Sequence, residues 1–586
     1  MNKKFAPLLI LLFLLQTSCS DTTQTAIDKD NSAPSATPKP MVTNLPQVQE
    51  EKQDRNHTEQ PLVGAELAKI DTISADYALP TKMMHRESVA GSTAVGQTYH
   101  YLPPPINRAG TWNLESYEAT QENQFINSLN DPLSTFSIDV DTASYANVRR
   151  FILGGSLPPG GAVRTEEMIN YFNYSDPTPG NSKPFSLKAE VGPSPFHNDY
   201  KIVRVSLNSQ ELPTVQLPPS NLVFLIDVSG SMNQPNKLPL LKQSLKLLVG
   251  QLSSQDRVAI VVYAGSDRVV MLPTPGNEHD TITQAIDNLR SGGSTHASKG
   301  IQTAYELAGR VYMPGGNNRV ILVSDGDFNV GITSRSELQT LIEDKRKSGI
   351  YLTVLGFGGG NYHDDTMEIL ADKGNGNYAY IDSLLEAKKV LIKERSGTLF
   401  TLANDVKIQV EFNPKLVGAY RLIGYENRAL EDEDFRNDKK DAGEIGAGHH
   451  VTALYEIIPA GHTDIPDVDQ LKYQRTTTKP ALHNKELLTV KLRYKPRGSG
   501  GSAASTQIST TVSDSNRPLD TTSSDFRFAA SVAGFAMLLK DSEYLGNFSW
   551  DDCLNLAKGA KGTDEQGYRA EFARLIEMGQ LLKENG

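Results

Sequence analysis

Three short stretches of the sequence carry side chains that can bind a metal ion: residues 227–231, 292–295 and 324–327. Their side-chain oxygens belong to carboxylates and hydroxyls, and no thiolate lies among them. Such hard oxygen donors suit Mg²⁺, Mn²⁺ or Ca²⁺ rather than zinc. The sequence therefore predicts a divalent-cation site with five candidate ligands, which are Asp227, Ser229, Ser231, Thr295 and Asp325.

Each stretch follows a strand or precedes a helix that the hydrophobic pattern predicts. Residues 222–226 are five consecutive apolar residues, and residues 319–323 indicate a second buried strand. Such runs are typical of parallel strands covered on both faces. Because ligands of open α/β sheets bind where loops leave the carboxyl ends of strands, we expect the three stretches to converge at one edge.

The region from residue 222 to residue 395 alternates apolar strands with amphipathic helices. This alternation predicts an α/β fold with a doubly wound, mostly parallel sheet of Rossmann-like type. Residues 268–272 can pair with the preceding strand as a hairpin or edge strand. The expected strands are 222–227, 257–263, 319–323, 351–355 and 377–381, and the expected helices are 237–252, 281–289, 298–311, 336–347, 364–371 and 384–395.

The segments on either side of this region are β-rich. Strands are expected at 188–191 and 202–207 before it, and at 406–412, 451–458 and 487–494 after it. A pair of helices, 526–539 and 568–582, is expected to close the chain. We expect the flanking strands to pair into one sandwich, with the α/β domain inserted between them.

Composition limits the classes of function. The chain has 586 residues, of which 38% are hydrophobic and 22% charged, as is usual for globular proteins of several domains. Its formal charge of −11 and the absence of a long basic stripe argue against nucleic-acid binding. Cys19 and Cys553 are the two cysteines, and Cys553 is expected to be a small buried hydrophobe.

The N-terminal residues have the pattern of an export signal. Lys3 and Lys4 precede an apolar run over residues 8–15, and small residues then lead to Cys19. This is similar to a bacterial lipoprotein signal, in which Cys19 would carry the lipid, although Gln16 stands where an aliphatic residue is usual. An ordinary secretory signal is the alternative. Ser20 after the lipid cysteine favours the outer over the inner membrane of a bacterial envelope.

The order Asp-x-Ser-x-Ser, Gly-Ser-Thr and Ser-Asp-Gly resembles the metal-ion-dependent adhesion site (MIDAS) of a von Willebrand factor type A (VWA) domain. The resemblance implies that Ser229, Ser231 and Thr295 coordinate an ion directly, with Mg²⁺ expected first, and that Asp227 and Asp325 act directly or through water. A carboxylate from a protein partner would fill the open position. His296 and Asp327 are candidates for contact with that ligand at the rim. The alternative is that the serines and aspartates only cap helices and turns, and that His296 is a surface histidine without a role in binding.

The flanking segments resemble a bacterial family of exported VWA lipoproteins with an uncharacterised C-terminal domain. The resemblance rests on residues 132–141, 145–150 and 164–172, and on residues 525–530 and 568–572. It implies an envelope protein without an agreed activity. The predicted parts are a signal peptide (1–18), a disordered tether (19–112), an N-terminal α+β region (113–218), a VWA domain (219–400) and a C-terminal β-rich and helical domain (401–586).

No catalytic motif stands out in the sequence. It lacks a phosphate-binding Gly-x-x-x-x-Gly-Lys-Ser/Thr loop, a His-Glu-x-x-His pair and a Gly-x-Ser-x-Gly elbow. His449 and His450 lie in a Gly-rich stretch and are expected in a solvated loop rather than in a metal pair. A binding module is therefore favoured. The alternatives are a scaffold in which the ion only stabilises loops, and, more remotely, a metal-assisted hydrolase.

Overall fold

The computed structural model describes residues 115–585, apart from residues 119–120, 139–140, 181–182, 213–216, 265, 294–297, 327–334, 361, 441, 468–484 and 497–503. The predicted signal peptide, Cys19 and the predicted tether lie outside the described residues. The same holds for three predicted site residues, which are Thr295, His296 and Asp327.

The N-terminal part of the described chain supplies strands to two sheets and two short helices. Almost every residue of the first of these helices is buried, because the α/β domain covers it on one side and the C-terminal helices cover it on another. The elements are β1 (Ile126–Asn127), β2 (Leu133–Ser137), α1 (Ala143–Leu153), α2 (Thr165–Asn170), β3 (Phe185–Pro193) and β4 (Lys201–Ser209).

The predicted α/β domain follows. Its strands are β5 (Ser220–Asp227), β6 (Arg257–Ala264), β7 (Ser266–Pro275), β8 (Asn317–Ser324), β9 (Tyr351–Phe357) and β10 (Tyr378–Ile381). Its helices are α3 (Leu238–Val249), α4 (His279–Asp287), α5 (Ser298–Arg310), α6 (Arg335–Lys347), α7 (Asp364–Lys373), α8 (Leu384–Lys388) and α9 (Arg395–Leu399).

The six strands form one sheet in the order β10-β9-β8-β5-β6-β7, parallel except for β7, which pairs antiparallel with β6 as an edge strand. Successive side chains of β5 point to opposite faces. Leu222, Phe224 and Ile226 pack with α3 and α4. Val223 and Leu225 pack with α5, α6 and α7 on the other face. The doubly wound fold predicted from the apolar runs is therefore confirmed.

One expected helix of this domain is interrupted. The pattern over residues 384–395 predicts a single helix, whereas the structure has a π-helical turn at Lys389–Lys393 between α8 and α9. The amide of Glu394 donates to the carbonyl of Lys389 across this turn. The wider turn brings the Glu394 carboxylate to 2.9 Å from the buried Lys389 ammonium, an ion pair that hydrophobic periodicity does not reveal.

The chain after the α/β domain returns to strands, which pair with those before it. β2 pairs with β11 in one sheet, and β4 pairs with β15 in the other. The two sheets share one apolar core, so the expected sandwich with an inserted α/β domain is present. The strands are β11 (Thr401–Phe412), β12 (Val417–Ile423), β13 (Ala429–Leu430), β14 (Gly443–Gly446), β15 (His450–Pro459), β16 (Glu486–Pro496) and β17 (Thr506–Ser513).

Three helices end the described chain: α10 (Ser524–Lys540), α11 (Trp550–Gly559) and α12 (Tyr568–Asn585). The expected pair corresponds to α10 and α12, and α11 lies between them. Trp550, Cys553, Leu554 and Ala557 have the spacing of an amphipathic helix, and Ser549 and Asp552 form a capping box, so the sequence contains a signal for α11 that the expectation of two helices omitted. The three helices pack with α1 and α2 in one core, where Cys553 is buried as expected.

The expectation that His449 and His450 lie in a solvated loop is wrong. His450 begins β15, and its Nδ1 lies 3.0 Å from Oδ1 of Asn208. His449 is half-buried in the turn before that strand, next to Gly397 of α9. The pattern of glycines and polar residues predicted a loop because it does not show that α9 covers this turn.

Candidate metal centre

The carboxyl ends of β5 and β8 bring two of the predicted ligand stretches together. Every residue of both strands is buried, and they are parallel neighbours, so both chains emerge at the same edge of the sheet. Asp227 ends β5 and Ser324 ends β8. The hydroxyl of Ser324 donates to Oδ2 of Asp227 at 3.4 Å, which places the Ser-Asp-Gly stretch beside Asp227.

The loop after β5 presents two hydroxyls next to the Asp227 carboxylate. The amide of Ser229 donates to Oδ1 of Asp227 at 2.8 Å, which fixes the orientation of the carboxylate. The hydroxyl oxygens of Ser229 and Ser231 lie 2.9 Å apart. Ser229 is buried, whereas Ser231 is exposed, so this group of oxygens opens toward solvent.

The Gly-Gly stretch docks on the same loop. The amide of Gly292 donates to the carbonyl of Val228 at 2.7 Å, and the amide of Gly230 donates to the carbonyl of Gly293 at 3.2 Å. These two bonds hold the start of the stretch that leads to Thr295 against the loop of Asp227. Thr295 itself and its neighbour His296 lie outside the described residues, and their roles stay predictions.

The third predicted stretch contains an ion pair that sequence reasoning missed. Oδ2 of Asp325 lies 2.8 Å from Nζ of Lys237, and both side chains are almost fully buried. Lys237 directly precedes α3, and a cation is unfavourable at a helix N-terminus because it opposes the helix dipole. The pair joins residues 88 positions apart, so local sequence pattern does not reveal it. Asp327 lies outside the described residues.

Burial dominates the electrostatics of Asp227. It raises the pKa of this carboxyl to about 6, hydrogen bonds from Ser229 oppose the shift, and the negative charge of Asp325 adds to it. Removing a carboxylate from water is costly unless a positive charge compensates it. A divalent cation bound to Asp227 and the neighbouring hydroxyls would supply that charge.

The donor set fits a hard divalent cation that keeps an open position. Among the described residues, no group of three or more His, Cys, Asp or Glu side chains is placed to hold a metal ion. This centre instead combines the carboxylates of Asp227 and Asp325 with the hydroxyls of Ser229 and Ser231. Oxygen donors of this kind suit Mg²⁺, Mn²⁺ or Ca²⁺.

Family models match three parts of the chain. The von Willebrand factor type A domain model matches residues 221–393, and a model described as von Willebrand factor matches residues 111–204. The model described as uncharacterized protein YfbK, C-terminal, matches residues 397–582. The chain is also 43% identical over 471 residues to the uncharacterized protein YfbK of Escherichia coli (strain K12), covering 79% of this chain and 80% of that protein.

The chain belongs to the YfbK family. The resemblance to a bacterial VWA family with an uncharacterised C-terminal domain is thereby confirmed. The names of the C-terminal model and of this relative indicate no enzymatic function.

Two solved structures are similar to this YfbK-family chain. The von Willebrand factor type A protein from Catenulispora acidiphila has a TM-score of 0.37 and 14% identity, covering 67% of this chain and 89% of that chain. The ArnB paralog VWA2 from Sulfolobus acidocaldarius has a TM-score of 0.33 and 15% identity, covering 68% and 98% of the two chains.

Proposed function

We propose that this protein binds a protein partner through a divalent cation held at the carboxyl ends of β5 and β8. One observation carries the proposal. Asp227 is fully buried, its pKa is raised to about 6, and it lies beside a pair of hydroxyls that opens to solvent. A cation there would neutralise the carboxylate and remain accessible from outside.

The proposed ligands are Asp227, Ser229, Ser231 and Asp325, with Thr295 from the neighbouring loop. Mg²⁺ is the proposed ion, and Mn²⁺ or Ca²⁺ would suit the same oxygens. Neutral hydroxyls supply much of the donor set, so the ion keeps positive charge toward solvent. An Asp or Glu side chain of a partner would complete its coordination, and His296 and Asp327 are proposed to contact that ligand at the rim.

We also propose that the protein is anchored in the bacterial envelope by a lipid on Cys19, with the outer membrane favoured over the inner. The charged residues, apolar run and small residues before Cys19 support this. Metabolic labelling with palmitate tests it, because the label should be incorporated into the wild type and lost in Cys19→Ser. An unlabelled wild type would favour the ordinary secretory signal.

Cross-linking in the native envelope tests the proposed binding. A partner should be captured in Mg²⁺, lost after chelation, and lost in Asp227→Asn, which keeps the size of the side chain while removing its charge. Asp287→Asn is the matched control, because Asp287 is exposed on α4 outside the centre. Equal capture by wild type and Asp227→Asn would contradict the proposal.

The same experiment distinguishes metal-dependent partner binding from the alternative that the protein is a scaffold. If the ion only stabilised the loops and the sandwich bound the partner, chelation would lower the melting temperature without changing capture. The observed contacts argue against that role. The loop after β5 already bonds to the Gly292–Gly293 backbone through Val228 and Gly230, and Asp325 already pairs with Lys237.

A further inference from the structure

We infer that Lys237 supplies a fixed positive charge to the metal centre. Because of this charge, the metal ion and an anionic ligand would bind to the centre cooperatively. The inference rests on the proposed function and adds to it the reason why ion binding would depend on a carboxylate from outside. Lys237 would act as a positioning residue for Asp325 and as a source of charge. It would not be a metal ligand itself.

The Lys237–Asp325 pair is buried and close. The ammonium lies 2.8 Å from Oδ2 of Asp325, and the two side chains are 5% and 2% exposed. Ion pairs in such surroundings are screened only slightly by salt and water. The ammonium therefore neutralises much of the negative charge that Asp325 would otherwise offer to a metal ion.

The backbone of the loop after β9 holds the lysine stem in place. Gly358 has a φ of +80°, and a Cβ at this position would overlap the Cγ, Cδ and Cε atoms of Lys237. The hydroxyl of Tyr380 donates to the carbonyl of Gly358. Because the loop backbone packs directly on the stem, Lys237 cannot swing away from Asp325 unless this loop moves.

A second contact fixes the same loop from its outer side. The amide of Gly360 donates to the carboxylate of Glu115 at 2.6 Å. Both carboxylate oxygens of Glu115 also accept from Arg150, at 3.0 and 2.8 Å. The loop that packs on the lysine stem is thus hydrogen-bonded both to Tyr380 and to Glu115.

The charge balance of the centre follows from these contacts. A divalent ion beside the two carboxylates of Asp227 and Asp325 would give a neutral centre. With the Lys237 ammonium in place, the ion together with Asp227, Asp325 and Lys237 carries one net positive charge. That charge weakens retention of the ion when no ligand is bound, and it strengthens binding of an anion. Because coupling between two ligands is reciprocal, a carboxylate ligand would in turn tighten binding of the metal.

Calorimetric titration of the full chain with Mn²⁺ tests the inference. Lys237→Gln removes the charge and keeps a hydrogen-bond donor for Asp325, and Lys237→Met is a second neutral variant that keeps the stem under Gly358. An opposite charge within about 4–6 Å typically shifts a carboxylate equilibrium by a factor of about ten or more. We therefore expect both variants to bind Mn²⁺ about tenfold tighter than the wild type.

Lys246→Met is the matched control, because Lys246 pairs with Asp287 at the surface, and it should leave the Mn²⁺ affinity unchanged. Repeating each titration in acetate, with chloride at equal ionic strength as reference, tests the coupling. Acetate should tighten Mn²⁺ binding by the wild type, and it should do so less for Lys237→Gln.

The outcomes distinguish the role of Lys237 from the existence of the metal centre. Unchanged or weaker Mn²⁺ binding by both neutral variants would overturn the role of Lys237 and leave the proposed metal centre standing. Failure of the wild type to bind Mn²⁺ would overturn the proposed function and this inference together. Circular dichroism of each variant confirms that the titrated protein is folded.

Discussion

Buried carboxylates of the α/β domain are balanced in two different ways. Asp382 and Glu386 face α1, where the guanidinium of Arg149 pairs with them at 2.6 and 2.8 Å. Burial raises the pKa of both Asp382 and Asp227, in the latter case to about 6. Asp227, at the end of β5, nevertheless has no ion-pair partner of that kind within the part of the chain that the structure describes. The same type of side chain is therefore compensated at one place and left without a cation at the other.

The difference indicates that the paired carboxylates have a structural role and that Asp227 has a role in binding. A buried carboxylate that is paired and hydrogen-bonded fixes the geometry of an interface. A buried carboxylate without a cation is unfavourable in the free protein, and a ligand that brings positive charge would remove that cost. We interpret the ion pairs at α1 and α2 as holding the inserted α/β domain against these two helices. The charge of Asp227, in contrast, is interpreted as available for a ligand.

The largest effect on stability is expected from removing a cation that pairs with buried carboxylates at α2. Arg164 pairs with Glu167 of α2 and with Asp364 of α7, where α2 meets the α/β domain, and all three side chains are almost fully buried. Arg164→Met would leave both carboxylates without their cation, and we expect the free energy of unfolding to fall by about 3–5 kcal/mol. Urea unfolding measures this, and added Mg²⁺ should not restore the loss.

The control for that variant is Lys347→Met, which removes a solvent-exposed pair with Asp344. Exposed pairs contribute little, so the change should be about 0.5 kcal/mol or less. If Arg164→Met unfolded like this control, the interface charges would not have the structural role assigned to them.

A smaller effect is expected from the ion itself. Binding to the folded state alone stabilises it by about 2.7 kcal/mol when the free ion is at 100 times its dissociation constant. Thermal unfolding should therefore shift upward in Mg²⁺ relative to EDTA for the wild type, and the shift should vanish in Asp227→Asn. An equal Mg²⁺ shift in that variant would place the stabilising ion elsewhere.

The smallest effect is expected on acidification, and it belongs to the sandwich rather than to the metal centre. Burial, with help from His450 and Lys389, lowers the pKa of His449 to about 4, compared with about 6.5 in an unfolded chain. Above pH 6.5 the ring is neutral in both states, so its full contribution to stability is present. As the pH falls toward 4, only the unfolded chain takes up the proton, so stability is lost over this interval.

We expect His449→Asn to reduce this loss by about 1–2 kcal/mol between pH 7 and pH 4.5, measured by urea unfolding. A pH profile that is the same in wild type and His449→Asn would remove His449 from the explanation of acid sensitivity.

Particular residues show how far the sequence alone can predict this molecule. The apolar runs that became β5 and β8 identify buried parallel strands, and their ends locate Asp227 and Asp325. The Lys237–Asp325 pair was missed because it joins residues 88 positions apart, which local pattern cannot reveal. Helix α11 was missed although Trp550, Cys553, Leu554 and Ala557 have helical spacing after the Ser549 cap, so the sequence alone could have predicted it. Thr295 lies outside the described residues, so its predicted role still rests on the sequence.

The most direct test of the account is calorimetric titration of the full chain with Mn²⁺, comparing wild type, Asp227→Asn and the surface control Asp287→Asn. We expect saturable binding of one ion per chain to the wild type and the control, and loss of that binding in Asp227→Asn. Binding of equal affinity and stoichiometry to Asp227→Asn would contradict a metal centre at the end of β5.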